Sequence, residues 1–152
     1  MVRSIESTII VAASCVDVWQ CLVDLPAYES WNPFVRSIEG ELAPGGRLKV
    51  HLQMQDGKTM VFRPTVVEFE PGRKLVWQGR LLIPGVFDGR HEFEVFPNQD
   101  GSTTFRHAEQ FSGVLVPLLG SGFYSRIQDN FQRMNEALKG RVEPGYFVSA
   151  LS

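Results

Sequence analysis

Apolar and polar residues alternate with a period of two over most of the first 111 positions, after which the period lengthens to that of a helix. Between Arg3 and Ala12, Ile5, Ser7, Ile9 and Val11 alternate with Glu6, Thr8 and Ile10, which predicts a first strand. Ser14 is placed to cap a short helix with Asp17 in its first turn, an apolar side of Val18, Trp19, Leu22 and Val23, and a stop at Pro26. Prolines bracket 25–33, predicting a second short helix and a turn. From Phe34 to Phe111 the pattern predicts a meander of six strands, punctuated at Pro44-Gly45-Gly46, Gln55-Asp56-Gly57, Glu70-Pro71-Gly72, Pro84-Gly85 and 97–101. Pro64 interrupts the segment Thr59–Glu70, which points to an edge or a bulge and leaves its facing open. Phe123, Ile127, Phe131, Met134 and Leu138 then recur at three and four residues, predicting a long amphipathic helix that ends at Gly140. Arg126, Asp129, Gln132, Arg133, Glu136 and Lys139 fall on its wet side. The fold class that follows is α+β, with a seven-stranded curved antiparallel sheet, two short helices after the first strand and a long C-terminal helix covering the apolar face.

Two strands break their own pattern on that face. Phe105, His107, Glu109 and Phe111 share one side of the last strand, and Phe87, Gly89, His91, Phe93 and Val95 share one side of the strand before it. An apolar face that carries two imidazoles and a carboxylate needs partners for them, from the protein, from water or from a ligand. A three-residue loop at 84–86 would set Gly79 opposite His91 and Trp77 opposite Phe93. A five-residue loop at 97–101 would set Phe93 opposite Phe105, His91 opposite His107 and Gly89 opposite Glu109. The predicted rows are therefore Trp77–Phe93–Phe105, Gly79–His91–His107 and Leu81–Gly89–Glu109. Three readings of this cluster stay open: a satisfied internal network, recognition of a ligand's polar end, and acid–base chemistry by a histidine with a carboxylate partner.

Composition narrows the function classes. At 152 residues, 43% of them apolar, the chain is expected to form one domain over residues 1–142, with 143–152 a poorly ordered tail. A net charge of −2 argues against a nucleic-acid binder. No apolar run is long enough to span a bilayer, no signal peptide opens the chain, and Cys15 and Cys21 read as reduced packing residues. A soluble cytoplasmic protein is the expectation. No metal motif, phosphate loop or nucleophile elbow occurs, so no metal or cofactor is expected, and nucleophilic catalysis has no positive support.

The order of elements, together with Trp31-Asn32-Pro33-Phe34, the segment from Glu70-Pro71-Gly72 through Trp77, and Phe111-Ser112-Gly113, resembles the SRPBCC superfamily of polyketide cyclase/dehydrase-like and START-like helix-grip domains. The resemblance runs from Ser4 to Leu138 and implies an elongated cavity beneath the C-terminal helix, but no particular catalytic residue. On it rests the expected function, binding of a small hydrophobic or amphipathic molecule such as a lipid, an aromatic or a polyketide-like compound. A cyclase/dehydratase-type enzyme using the same polar residues and a protein-interaction module of the chaperone co-activator type are the alternatives. The expected lining is Trp31, Trp77, Gly79, Gly89, His91, Phe93, Phe105, His107, Glu109, Phe111, Phe123 and Ile127, with His91, His107 and Glu109 the candidates for catalysis. Trp31 is read either as core or as a lid beside Tyr28, and Gly120-Ser121-Gly122 either as a turn or as a hinge for the helix start. Oligomeric state is not addressed by the sequence.

Overall fold

A computed structural model describes residues 2–81 and 83–146, with Leu81 described through its backbone only. Its elements are β1 (Val2–Val11), α1 (Cys15–Val23), a 3₁₀ turn (Leu25–Ala27), α2 (Tyr28–Trp31), β2 (Val35–Gly40), β3 (Leu48–Gln53), β4 (Thr59–Phe62), β5 (Thr65–Glu70), β6 (Lys74–Leu81), β7 (Phe87–Pro97), β8 (Thr103–Ser112), a second 3₁₀ turn (Val116–Leu118) and α3 (Gly120–Val142). Ser14 caps α1 by accepting a hydrogen bond from the Asp17 N–H at 3.2 Å.

The α+β helix-grip class stands, with one more strand than the pattern predicts. Pro64 divides Thr59–Glu70 into β4 and β5, which join different sheets: β1-β8-β7-β6-β5 and β2-β3-β4. Proline has no N–H to continue a ladder, so the chain bends there. The Pro64 carbonyl instead accepts from the Leu48 N–H at 2.9 Å, and Gly45 and Gly46 exchange two bonds with Val66. The two sheets are thereby laced into one curved antiparallel surface.

Both hairpin registers differ by two residues from those predicted. Trp77 pairs with His91 and Leu75 with Phe93, because Phe87 pairs with Leu81 rather than with Ile83. Phe93 pairs with His107, His91 with Glu109 and Gly89 with Phe111, because Asn98 and Ser102 close the β7–β8 loop through an Asn98 N–H to Ser102 carbonyl bond of 2.9 Å. The true rows are Leu75–Phe93–His107, Trp77–His91–Glu109 and Gly79–Gly89–Phe111. A two-residue shift preserves facing, so the same side chains still share the inner face.

α3 lies across that face. Phe131, Met134 and Leu138 are fully buried and belong to the same core cluster as Phe93 and Phe105. Gly140 does not end the helix, which continues to Val142. The carboxylate of Glu143 instead ties the helix end down, accepting from the Ala12 N–H at 2.9 Å and pairing with Lys139 at 2.7 Å. The Tyr146 hydroxyl bonds Glu136, and its ring lies under the Lys139 ammonium. Met1 and the rest of the expected tail, 147–152, lie outside the described residues. No helix among the described residues is long and apolar enough to cross a membrane.

The outer face of the five-stranded sheet carries charge. Arg106 on β8 reaches Glu6 on β1 at 3.1 Å and Glu92 and Glu94 on β7 at 2.8 Å each, while Arg90 spans Glu92 and Glu68 at 3.3 Å each. Partial burial works to raise the Glu92 pKa, but the hydrogen bonds from Arg106 and Arg90 outweigh it and hold the carboxyl below its ordinary range.

Candidate ligand site

Under the N-terminal half of α3 the packing opens into a cleft of about 750 Å³ between α3, the inner face of β6–β8 and the three-stranded sheet. Phe62 and Trp77 form one wall, Phe87 and Phe111 close one end, and Phe123 and Ile127 project from α3. Eight of the expected residues line it: Trp77, Gly79, Gly89, His91, Glu109, Phe111, Phe123 and Ile127. Four do not. Phe93, Phe105 and His107 lie deeper, in the filled core beneath the C-terminal half of α3, so the cleft runs under only part of the helix. Trp31 is on the wrong side: Tyr28 takes the inward position of α2, bonding the Leu22 carbonyl at 2.5 Å, and Trp31 packs edge-on against it. Trp31 borders two grooves outside the cleft, beside Cys21 and Arg141 in one of them. Arg80, Lys58 and Arg126 reach the rim of the cleft.

The polar floor is built from adjacent strand positions. His91 is 4% exposed and ringed by Trp77, Phe93 and Phe131, with ring centroids 4.6–5.0 Å away. Its Nδ1 is 3.7 Å from Glu109 Oε1, and its Nε2 is 2.7 Å from Nε2 of His107. Glu109 owes its place to Gly89: a Cβ there would stand 2.6 Å from Glu109 Oε2. Trp77, 1% exposed, borders this floor, and its buried indole N–H has no acceptor among the described residues.

His107 is fully buried and stacks on Phe131 at 3.8 Å between centroids and 8° between planes. Burial, with the neighbouring His91 adding to it, drives its pKa well below the ordinary imidazole value. It is therefore neutral. Its Nδ1 is 3.0 Å from Oδ1 of Asn135, whose amide nitrogen donates to the carbonyl and hydroxyl of Ser7 at 3.3 and 3.2 Å. The sequence reading missed Asn135. Its signal was positional: it follows Phe131 by four residues and Met134 by one, on the buried side of the helix. Among the described residues no group of three or more His, Cys, Asp or Glu stands close enough to hold a metal ion.

A curved antiparallel sheet gripping one long helix over a partly apolar cleft defines a helix-grip domain. The family model described as "Polyketide cyclase / dehydrase and lipid transport" matches residues 2–143. The chain belongs to that family, within the SRPBCC superfamily. No curated protein matches its sequence significantly. Among solved structures it is similar to the Zhui aromatase/cyclase from Streptomyces sp. R1128, at 19% identity and TM-score 0.73 over 93% of this chain and 94% of that one. A START superfamily protein from Mycobacterium smegmatis gives 21% identity and TM-score 0.72 over 91% and 96%. The chain covers 51% of the di-domain ARO/CYC BexL from the BE-7585A biosynthetic pathway, at 18% identity and TM-score 0.73 over 95% of its own length. At these identities the likeness is one of fold.

Proposed function

We propose that this protein binds a small, mostly apolar molecule of aromatic or polyketide-like type in the cleft under α3, with the ligand's oxygen-bearing end on the floor. The observation that carries the reading is the polar pair His91 and Glu109 at the bottom of a cleft walled by Phe62, Trp77, Phe111, Phe123 and Ile127. Apolar walls supply affinity in proportion to the area they dehydrate, about 25 cal/mol per Å² before association costs. The few polar groups supply orientation. Family membership supports the same reading.

A titration with 2-naphthol, followed by quenching of tryptophan fluorescence, tests it. Saturable binding is expected, and Ile127→Trp, which fills the cleft from α3, should weaken it by at least about tenfold (about 1.4 kcal/mol) with the circular dichroism spectrum unchanged. Equal binding by the two proteins, or none by the wild type, would count against the cleft.

The His91–Glu109 pair also favours a second reading, acid–base cyclisation or dehydration of the bound compound. In that case Glu109→Gln should cut turnover by about a hundredfold or more while affinity changes little.

A further inference from the structure

The hydrogen-bond chain behind the floor of the cleft has a direction, and that direction begins at a backbone carbonyl. The Ser7 carbonyl only accepts, so the Asn135 amide must turn its NH₂ toward β1 and its Oδ1 toward His107. Oδ1 in turn only accepts, so His107 carries its proton on Nδ1. A neutral imidazole has one N–H, which leaves Nε2 of His107 as an acceptor. The 2.7 Å contact then requires His91 to donate from its own Nε2. His91 is left with Nδ1 toward Glu109 Oε1 at 3.7 Å. At that distance the two make no direct hydrogen bond, so Nδ1 stays free to accept from a donor placed between it and the carboxylate.

We propose that Asn135 is the positioning residue of this site: through His107 it fixes the tautomer of His91, so that His91 Nδ1 is left as an acceptor beside the Glu109 carboxylate and the two select a ligand hydroxyl, phenolic or enolic, over a carboxylate. The ligand class rests on the binding reading above, whereas the direction of the chain does not. A hydroxyl can donate, which matches a floor that offers two acceptors, His91 Nδ1 and the Glu109 carboxylate, 3.7 Å apart. A ligand carboxylate on the floor would instead face the Glu109 carboxylate, since the cations that line the cleft, Lys58, Arg80 and Arg126, stand at its rim. Phe131, stacked flat on His107, holds that ring in plane for the relay.

Long-range ¹H–¹⁵N correlation spectra of uniformly ¹⁵N-labelled protein at about pH 7.5 read the tautomers directly, and His51, remote from the chain, serves as internal reference. His107 should be protonated at Nδ1 and bare at Nε2, and His91 should be protonated at Nε2. A His107 protonated at Nε2, or a His91 bare at Nε2, overturns the assignment, and this wild-type measurement needs no variant to fold. In Asn135→Leu the two tautomers should mix. Affinity for 2-naphthol should then fall about fivefold or more while affinity for naphthalene stays level. Equal weakening of both probes would mean that Asn135 is merely structural. Wild-type affinity for 2-naphthoate equal to that for 2-naphthol overturns the hydroxyl selection. If neither naphthol nor naphthalene binds the wild type, the binding reading and the hydroxyl selection resting on it fall together, and the spectra still decide the polarity of the chain.

Discussion

Glu109 can lean over the floor of the cleft only because position 89 has no side chain. Gly89 is its diagonal neighbour on β7, and the space a Cβ would fill is taken by Glu109 Oε2. The obstructing atom is the far end of a flexible side chain rather than backbone, so Gly89→Ala should leave the fold intact and displace the carboxylate. Removing a glycine from a strand interior even favours the strand, by about 0.5–1 kcal/mol. The expected result is an unchanged or slightly raised melting temperature together with weaker 2-naphthol binding, by about tenfold. Calorimetry and the fluorescence titration read the two quantities separately. Affinity that survives Gly89→Ala would remove Glu109 from the ligand's reach.

At the scale of elements, α3 is fastened to β1 as well as packed on the sheet. β1 is an edge strand, and an edge exposes backbone groups that want partners. Gln128 donates to the Glu6 carbonyl at 2.8 Å, Lys139 donates to the Ile10 carbonyl at 2.5 Å, and the Ala12 N–H donates to Glu143 at 2.9 Å. Eleven residues of helix rise about 16 Å and four residues of strand about 13 Å, so the two elements stay nearly in step along this seam. Lys139→Met should therefore release both Ile10 and Glu143, at a cost of about 1–2 kcal/mol in urea denaturation, and speed amide exchange at Ala12 more than in the core of β8. These ties also explain which features the sequence disclosed. Strand facing was legible because side-chain parity survives a two-residue register error, which is why Gly89, His91 and Glu109 emerge on one face even though their partners were misassigned. Loop lengths were not legible, since the Asn98–Ser102 closure depends on bonds that a proline-and-glycine count does not reveal. The end of α3 was misplaced at Gly140 because Lys139, which read as a wet-side charge, and Glu143, which read as the start of a poorly ordered tail, are anchors. Trp31 stayed open between core and lid because a one-turn helix does not announce whether its first or last aromatic faces inward. Asn135 looked like one more polar helical residue, and only the position of β1 beside it gives it work.

For the whole molecule, the buried imidazole links stability to pH. His107 is neutral in the folded protein because burial, reinforced by His91, holds its pKa well below 6.5, whereas in the unfolded chain it titrates near that value. Above about pH 6.5 both states are unprotonated at this position and it adds no pH dependence. Below that pH the unfolded state binds a proton that the folded state refuses, so folding stability falls as pH falls, by up to about 1.4 kcal/mol per unit. The stability is thus fully present above the unfolded pKa and is lost on the way down toward the folded one. Glu92 and Glu143, whose pKa values are lowered, act with the same sign but in a lower window, because their stabilisation is lost only as pH drops below the unfolded carboxyl range near 4.5. Between about pH 6.5 and pH 5 the histidine should therefore dominate the slope. Urea midpoints measured across that range for the wild type and for His107→Gln, which keeps a hydrogen-bonding side chain but does not titrate, separate the contributions. The variant should be less stable at pH 7.5, since glutamine cannot reproduce the flat stack on Phe131, and its stability should decline more gently, by about one proton's worth of slope. Parallel slopes in the two proteins would show that His107 takes up its proton without unfolding. The chain from Asn135 would then have to accommodate an imidazolium donating from both nitrogens, and His91 would be forced to accept from it and present an N–H to Glu109.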